Sequence, residues 1–424
     1  VQLHSFKLGY TEIKEAVMDF AIPYTEEQEK FRKEVRSWLE ENIPTDKKLP
    51  VDPEDVSDEW RNWWKDKHQE LAHIGWLYPT HSAEFGGGGL SGDHETIIEE
   101  EFSRFGAPRG FSNNYVFGSL IVWGTEEQKQ KFLKPLLTGE KLNWQRLTEP
   151  HSGADLANTK TRAVRDGDDW IVTGENVFIS CYGDEDWYPG LALTDPDAPR
   201  HRNLGFFMIP NNVPGITIKT MELLPGSKQK NIIMDNVRVP GDHMIGGETQ
   251  GWQVMSTLLE AEHGGRGRAA PADQPVDKLL EFTKEAVRFD GNLGSDPIVA
   301  QATSESYIES HIHSLFLQRT FWMYQNHMEM QGESNLANVY GRESTLRVAK
   351  RIRDIYAMHA FLDTKEPGSP HSGTQEINQR QRAGQNHAGG STNIAKVILA
   401  RRIGISRTQE RAAPTASTAS TTGS

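Results

Sequence analysis

Thr148-Glu149-Pro150-His151-Ser152-Gly153-Ala154-Asp155-Leu156-Ala157, followed by a hairpin pattern that ends Val177-Phe178-Ile179-Ser180, is where the patterning of this chain changes most abruptly. Proline lacks the N–H that a helix or central strand needs, and glycine favours open backbone shapes, so residues 150–153 form a loop. Residues 159–165 alternate, Asp166-Gly167-Asp168 signals a turn, and residues 170–173 and 177–180 read as strands on either side of Gly174-Glu175-Asn176. The expectation is a loop of exposed amides and hydroxyls beside a sheet edge. Such a place suits a planar polar ligand, and equally an ordinary β-hairpin domain.

Before this stretch the pattern is helical. Thr25-Glu26-Glu27-Gln28 is a capping box, and Phe31, Val35, Trp38 and Leu39 follow at helical spacing until Pro44. Ser57 opens a second helix with Trp60, Trp64, Leu71 and Ile74, stopped by Gly75. The glycine run 86–89 has no strand before it and no lysine after it, so it reads as a plain loop rather than a phosphate cradle. Helices are expected over 93–105, 112–123 and 125–137, the last from a second capping box, Thr125-Glu126-Glu127-Gln128. Short strands with Pro-Gly and Asp-Gly turns run from 142 to 245. Helical periodicity returns at Gly251 and, after a proline break at 271–275, continues over 279–288, 300–331 and 334–359, with a last helix over 393–405. Residues 365–390 are polar and contain glycine, and the tail from 412 is Ala/Ser/Thr-rich and expected to be disordered.

A chain of 424 residues is long enough for two or three domains with a large core. No window approaches the roughly 20 apolar residues of a membrane helix, and a net charge of −13 argues against nucleic acid as the main partner. The single cysteine, Cys181, permits neither an internal disulfide nor a thiolate metal site. The N-terminal residues 1–18 carry no secretory pattern. A soluble, cytoplasmic protein is the default expectation, with mitochondria or another organelle left open. None of the 15 histidines lies in a metal-binding box, and no Gly-x-Ser-x-Gly elbow occurs. Arg342, Arg347, Lys350, Arg351 and Arg353 could meet an anionic ligand or form a solvated helix face.

One carboxylate stands out. On the helix from Gly251, Trp252, Met255, Leu258 and Leu259 share a face, Glu262 falls near its middle, and Glu260 points away. A carboxylate among apolar groups loses hydration, which disfavours its charged form and suits a base for a weakly acidic carbon. The same pattern describes a buried glutamate paired with His263, Arg266 or Arg268.

Four pieces in order resemble the acyl-CoA dehydrogenase flavoenzymes: Gly124-Thr125-Glu126-Glu127-Gln128-Lys129-Gln130-Lys131-Phe132-Leu133, Thr148 to Asp155, Asp235-Asn236-Val237-Arg238-Val239-Pro240, and Gly251-Trp252. The resemblance implies an α+β fold. An N-terminal helical domain would span 19–140, a middle β-barrel or sandwich domain 141–246, and a C-terminal four-helix-bundle domain 247–408, before a disordered tail at 409–424. It implies FAD as cofactor and an acyl-CoA substrate, whose α-hydrogen leaves as a proton and β-hydrogen as hydride to flavin N5, giving the trans-2-enoyl-CoA. By position, Leu147 and Thr148 would touch the isoalloxazine edge, Phe178 would stand where the family has a stacking tryptophan, and Ser180 where it has a threonine. Ser391 and Asn393 match positions that reach FAD. Ala154 lies where many members have a serine touching the CoA portion. Many members carry the base where this chain has Gly389, which would offer only its N–H to the thioester carbonyl. A smaller group, including isovaleryl-CoA dehydrogenase, carries it where this chain has Glu262, with Glu260 next in line. Glu260 and His263, which replaces a common arginine, would lie at the substrate.

An electron-transferring flavoprotein would take the electrons, and a homodimer or homotetramer would be the assembly. Three departures bear on this reading. The family's Arg-x-x-Phe-Gly segment has no clean counterpart in Ala286-Val287-Arg288-Phe289-Asp290-Gly291, its Gln-x-x-Gly-Gly-x-Gly run is missing, and His263 replaces the arginine. They leave two alternatives, a flavin oxidase or monooxygenase on the same fold, and an FAD-poor structural subunit of a hetero-oligomer.

Overall fold

The two capping boxes organise the N-terminal helices. In the computed structural model, which describes residues 24–224, 226, 228–262, 274–288, 291–326, 328, 330, 332–382, 384 and 390–406, helix α1 (Glu26–Asn42) starts where the Thr25 hydroxyl accepts from the Gln28 backbone N–H and Gln28 Oε1 accepts from the Thr25 N–H. His263, Arg266, Arg268, Gly389, the N-terminal 23 residues and the tail after 406 lie outside the described residues. Helix α2 (Asp58–His73) is capped by Ser57 and buries Trp60, Trp64 and Leu71. Helices α3 (Gly92–Phe105) and α4 (Tyr115–Trp123) follow. The start of α4 falls later than 112 because the Asn113 N–H donates to Asn143 O and its side-chain oxygen accepts from the Tyr115 N–H. The second capping box opens α5 (Glu126–Gln128), which passes through a π-turn (Lys129–Leu133) into α6 (Lys134–Leu137). Gln128 does more than cap. Its amide N–H₂ also donates to Asp242 O and Met244 O, at 2.9 and 2.8 Å.

The glycine loop is packed against its own neighbours. The Gly87, Gly88 and Gly89 amides donate to Ser82 O, Tyr78 O and His81 O, and a Cβ on Gly88 would stand 2.1 Å from Gly75 O.

Seven strands form one sheet: β1 (Arg162–Asp166), β2 (Asp169–Ile179), β3 (Trp187–Leu193), β4 (Leu204–Pro210), β5 (Ile216–Glu222), β6 (Lys228–Val239) and β7 (Met244–Ile245), in the order β5-β6-β2-β1-β3-β4-β7. The expected pair of strands around Gly174 is a single strand, and β2 lies between β1 and β6 rather than at an edge. Gly174 is not a turn residue. It pairs with Met234, and a Cβ there would be 2.2 Å from Thr161 Oγ1, so close packing explains the glycine. The ladder between β2 and β6 shifts between Val172 and Gly174 and again between Asn176 and Ile179.

β4 is apolar throughout because both its faces are covered. Leu204, Phe206 and Met208 join a core with Phe117 and Leu120 of α4, while Phe207 and Ile209 join a second core with Trp170, Val172, Val237 and Val239. Helix α7 (Gly251–Glu262) adds Met255 and Leu258 to the first core. Beyond it come α8 (Gln274–Glu285), α9 (Pro297–Gln325), α10 (Glu333–Tyr356), α11 (Thr374–Arg382) and α12 (Thr392–Arg402), with α10 touching each of the other four. Helix α11 forms inside the polar stretch 365–390, burying Gln375 and Ile377. No helix among the described residues is long and apolar enough to cross a membrane.

Candidate active site

The loop from Arg146 to Asp155 is held from beneath. Arg146 is only 1% exposed, and its guanidinium donates to Tyr188 O, Gly190 O and Leu191 O on β3 and to Asn176 Oδ1 on β2. Burial lowers this guanidinium to about 10, against the opposing charge of Glu149. Glu149 is buried too. Its carboxylate accepts from the Thr159 hydroxyl, the Lys160 N–H at 2.6 Å and the Thr161 N–H at 2.9 Å. Glu149 and Ser152 exchange backbone bonds across Pro150-His151, and the Ser152 hydroxyl donates to Asp155 O.

This framing leaves two amides unclaimed. Thr148 O accepts from the Val177 N–H and from Asn176, but the Leu147 and Thr148 N–H groups meet no acceptor among the described residues. Nearby, Phe178 sits at φ 60° in the second ladder irregularity and is 54% exposed. A large side chain held in the left-handed region costs about 1–3 kcal/mol and marks a place the surrounding structure over-determines. The Ser180 hydroxyl accepts from Gln229 at 2.8 Å. Ala154 is exposed, Asp155 pairs with Arg200, and His201 stacks on Trp252 with centroids 4.6 Å apart.

Helix α7 brings the carboxylate to the same neighbourhood. The turns buried at Met255 and Leu258 continue to Glu262, which is half-buried and accepts from Gln145 Nε2 at 3.2 Å. Gln145 stands three residues before Thr148. Arg342 of α10 is electrostatically coupled to it: burial lowers its guanidinium, and the Glu262 charge opposes that shift. Arg342 Nη1 also donates to Gly390 O at 2.6 Å, next to Ser391, whose hydroxyl caps α12 by accepting from the Ile394 N–H. Asn393 is exposed on the first turn of α12. Arg342 is therefore bonded to Gly390 and feels the charge of Glu262. Glu260 does not join them, because both of its oxygens accept from Arg402 Nη2, at 3.0 and 2.7 Å.

The rest of the basic run is paired elsewhere. Arg347 and Arg351 reach Glu309 on α9, while Lys350 and Arg353 reach Asp354.

Three family models cover nearly the whole chain: the acyl-CoA dehydrogenase N-terminal domain at residues 25–140, middle domain at 145–237 and C-terminal domain at 249–404. This chain belongs to the acyl-CoA dehydrogenase family. Acyl-CoA dehydrogenase IpdE1 of Mycolicibacterium smegmatis is 27% identical over 399 residues, spanning 89% of this chain and 97% of that protein. Acyl-CoA dehydrogenase FadE26 of Mycobacterium tuberculosis is 25% identical over 393 residues, spanning 89% and 96%. The ChsE4-ChsE5 complex from Mycobacterium tuberculosis superposes with a TM-score of 0.78 at 24% identity, covering 91% of this chain and 99% of that one, a likeness of fold. The mixed α+β architecture and the family are thus as the sequence motifs imply, and the chain is an oxidoreductase of this family.

Sequence reasoning did not find Gln145, Arg146 or the Glu260–Arg402 pair. Arg342 was visible only as one member of a basic run, with nothing in its spacing to separate it from the rest. Gln145 and Arg146 carry no local signal either, since their partners lie on β2, β3 and α7.

Proposed function

We propose that Glu262 is the base with which this acyl-CoA dehydrogenase removes the α-proton of its substrate, and that FAD lies against the loop at Leu147 and Thr148. The observation that carries the reading is the Glu262 carboxylate, tied by Gln145 to the segment that precedes Thr148; its charge acts on Arg342, whose guanidinium donates to Gly390 O. The residues fit a flavin: two neighbouring amides meet no acceptor among the described residues, and an aromatic side chain is held open in a strained conformation beside them. When bound, FAD supplies the hydride acceptor. The chain does the rest. The Leu147 and Thr148 N–H groups would hold the ring edge, Phe178 would cover a face, and Ser180, Ser391 and Asn393 would reach other parts of the cofactor. Ala154 leaves the CoA portion without the hydroxyl contact common in the family. Glu262 would take the α-proton while the β-hydrogen leaves as hydride, the acceptor for which the bound cofactor would supply, so that the acyl-CoA becomes the 2-enoyl-CoA. Glu260, ion-paired with Arg402, shapes the wall behind the base rather than sharing its role.

An electron-transferring flavoprotein then takes the electrons, and the protein self-assembles as a homodimer or homotetramer. The ChsE4-ChsE5 neighbour is a complex of two differently named chains, which makes a hetero-oligomer the second reading. Light scattering on flavin-loaded purified protein separates the two.

The central test is Glu262→Gln. With an artificial electron acceptor, enoyl-CoA formation should fall by about 10²- to 10⁴-fold while the flavin absorbance persists. Glu260→Gln should keep its rate. If the Glu262 variant keeps its rate, the base lies elsewhere; rapid oxygen consumption with peroxide release by the native enzyme would instead identify an oxidase.

A further inference from the structure

The side chain that contacts Glu262 is an amide with one hand empty. Gln145 Nε2 donates to Glu262 Oε2 at 3.2 Å, whereas Gln145 Oε1 is buried and has no partner among the described residues. A buried amide oxygen without a donor is costly, and such atoms are rare in folded proteins. The backbone on either side is fixed: the Trp144 N–H donates to Trp187 O at 3.1 Å and the Arg146 N–H to Pro189 O at 2.9 Å, both on β3. The 145 position is thus anchored while its side chain keeps one terminal torsion. That torsion is broad and roughly two-fold, so turning it exchanges N–H₂ for oxygen at the same place.

Building on the reading of Glu262 as the base, we propose that Gln145 is the positioning residue that holds the Glu262 carboxyl in both of its protonation states. Before the reaction the ionised carboxylate accepts the amide N–H. After it takes the α-proton, Glu262 becomes a donor, and the turned amide accepts its O–H through Oε1. The side chain moves no proton itself. It keeps the carboxyl pointed at one place throughout the cycle, with its N–H donating to the oxygen of the carboxylate that is to act as a base. Among the described residues, the charged groups near this contact are Arg342 on α10, which feels the Glu262 charge, and Glu260 on α7, which is paired with Arg402 on α12.

The test uses the flavin-loaded full chain carrying Gln145→Leu or Gln145→Glu. The glutamate variant retains the shape of the side chain and guards against a folding defect in the leucine one. Carbodiimide labels protonated carboxyls, so the pH at which Glu262 labelling is half lost, read by peptide mass spectrometry, reports its titration. In both variants that midpoint should rise by about one pH unit, further in Gln145→Glu because a second carboxylate adjoins the first. Flavin reduction in the stopped flow should slow by roughly 10- to 100-fold at neutral pH, and its acidic limb should move up with the midpoint, while acyl-CoA binding is nearly unchanged. An unmoved midpoint in both variants overturns the proposal, even if Glu262→Gln is inactive. A moved midpoint with an unchanged rate of reduction overturns it through its premise, because the carboxyl being held would not be the base.

Discussion

Replacing Arg146 with methionine removes a buried cation but leaves side-chain bulk in place. Four acceptors lose a donor at 3.0 to 3.3 Å: three β3 carbonyls and the Asn176 side chain, which itself donates to Thr148 O. Hydrogen bonds to a charged group contribute about 1.5–3 kcal/mol each, and a carbonyl left dry costs about 1–3 kcal/mol. The opposing term is also visible, because burial is what drives the guanidinium down to about 10, so removing the charge recovers part of its desolvation. The balance is a loss of about 3–5 kcal/mol, the range seen when one partner of a buried charged cluster is deleted. Against a typical total of about 5–15 kcal/mol, this lowers the urea midpoint by about 1–2 M. Urea unfolding followed by tryptophan fluorescence is the assay, with Trp170 and Trp187 as reporters in the sheet. Arg146→Lys should fall between the parent and the methionine variant, since an ammonium cannot span four acceptors as a planar fork does. A methionine variant within about 1 kcal/mol of the parent would show that the acceptors find other donors, and would refute the assignment of Arg146 as the support beneath the 147–148 loop.

Two further outcomes are expected. Burial alone would raise the Glu149 carboxyl, but the Thr159 hydroxyl and the Lys160 and Thr161 amides outweigh it and hold it below the usual carboxylate range. Its contribution is therefore fully present above its unfolded value near about 4.3 and is lost as pH falls through the folded value, so the stability gap between the parent and Glu149→Gln should close on acidification from about pH 6 to about pH 3; a constant gap would sink the idea. Phe178→Ala should weaken FAD retention during dialysis against high salt. Unchanged retention would show that the strand has been aligned wrongly with the family's stacking tryptophan.

How much could be read in advance followed from how local each determinant is. Both capping boxes were legible because a cap is made by residues three apart, and both form as expected. The place of Glu262 on α7 was legible because helical spacing sets it one turn beyond Leu258. The single long strand through Gly174 was not, since glycine between two apolar runs signals a turn unless the neighbour it must admit, Thr161, is known. Helix α11 was missed for a similar reason: a polar helix with few buried positions owes its stability to what it packs on, not to its own period. The site's second members were beyond reach. Gln145 meets Glu262 of α7, Arg342 meets Gly390, and Glu260 meets Arg402, all through contacts that no spacing rule encodes.

The apolar core shared by α4, β4 and α7 has a consequence for how this protein could be cut, shuffled or inherited in pieces. Ser119 Oγ donates to Val254 O and Trp123 Nε1 to Thr257 Oγ1, so the face of α4 is closed by a helix that comes after the whole sheet in sequence. A fragment ending after β7 would present that face to water, and a chimera that borrowed its first helices from a relative would need the matching α7 with them. Since α7 also carries Glu262, the helix that completes the N-terminal half is the one that delivers the proposed base. Any lineage that exchanged one would have had to exchange the other.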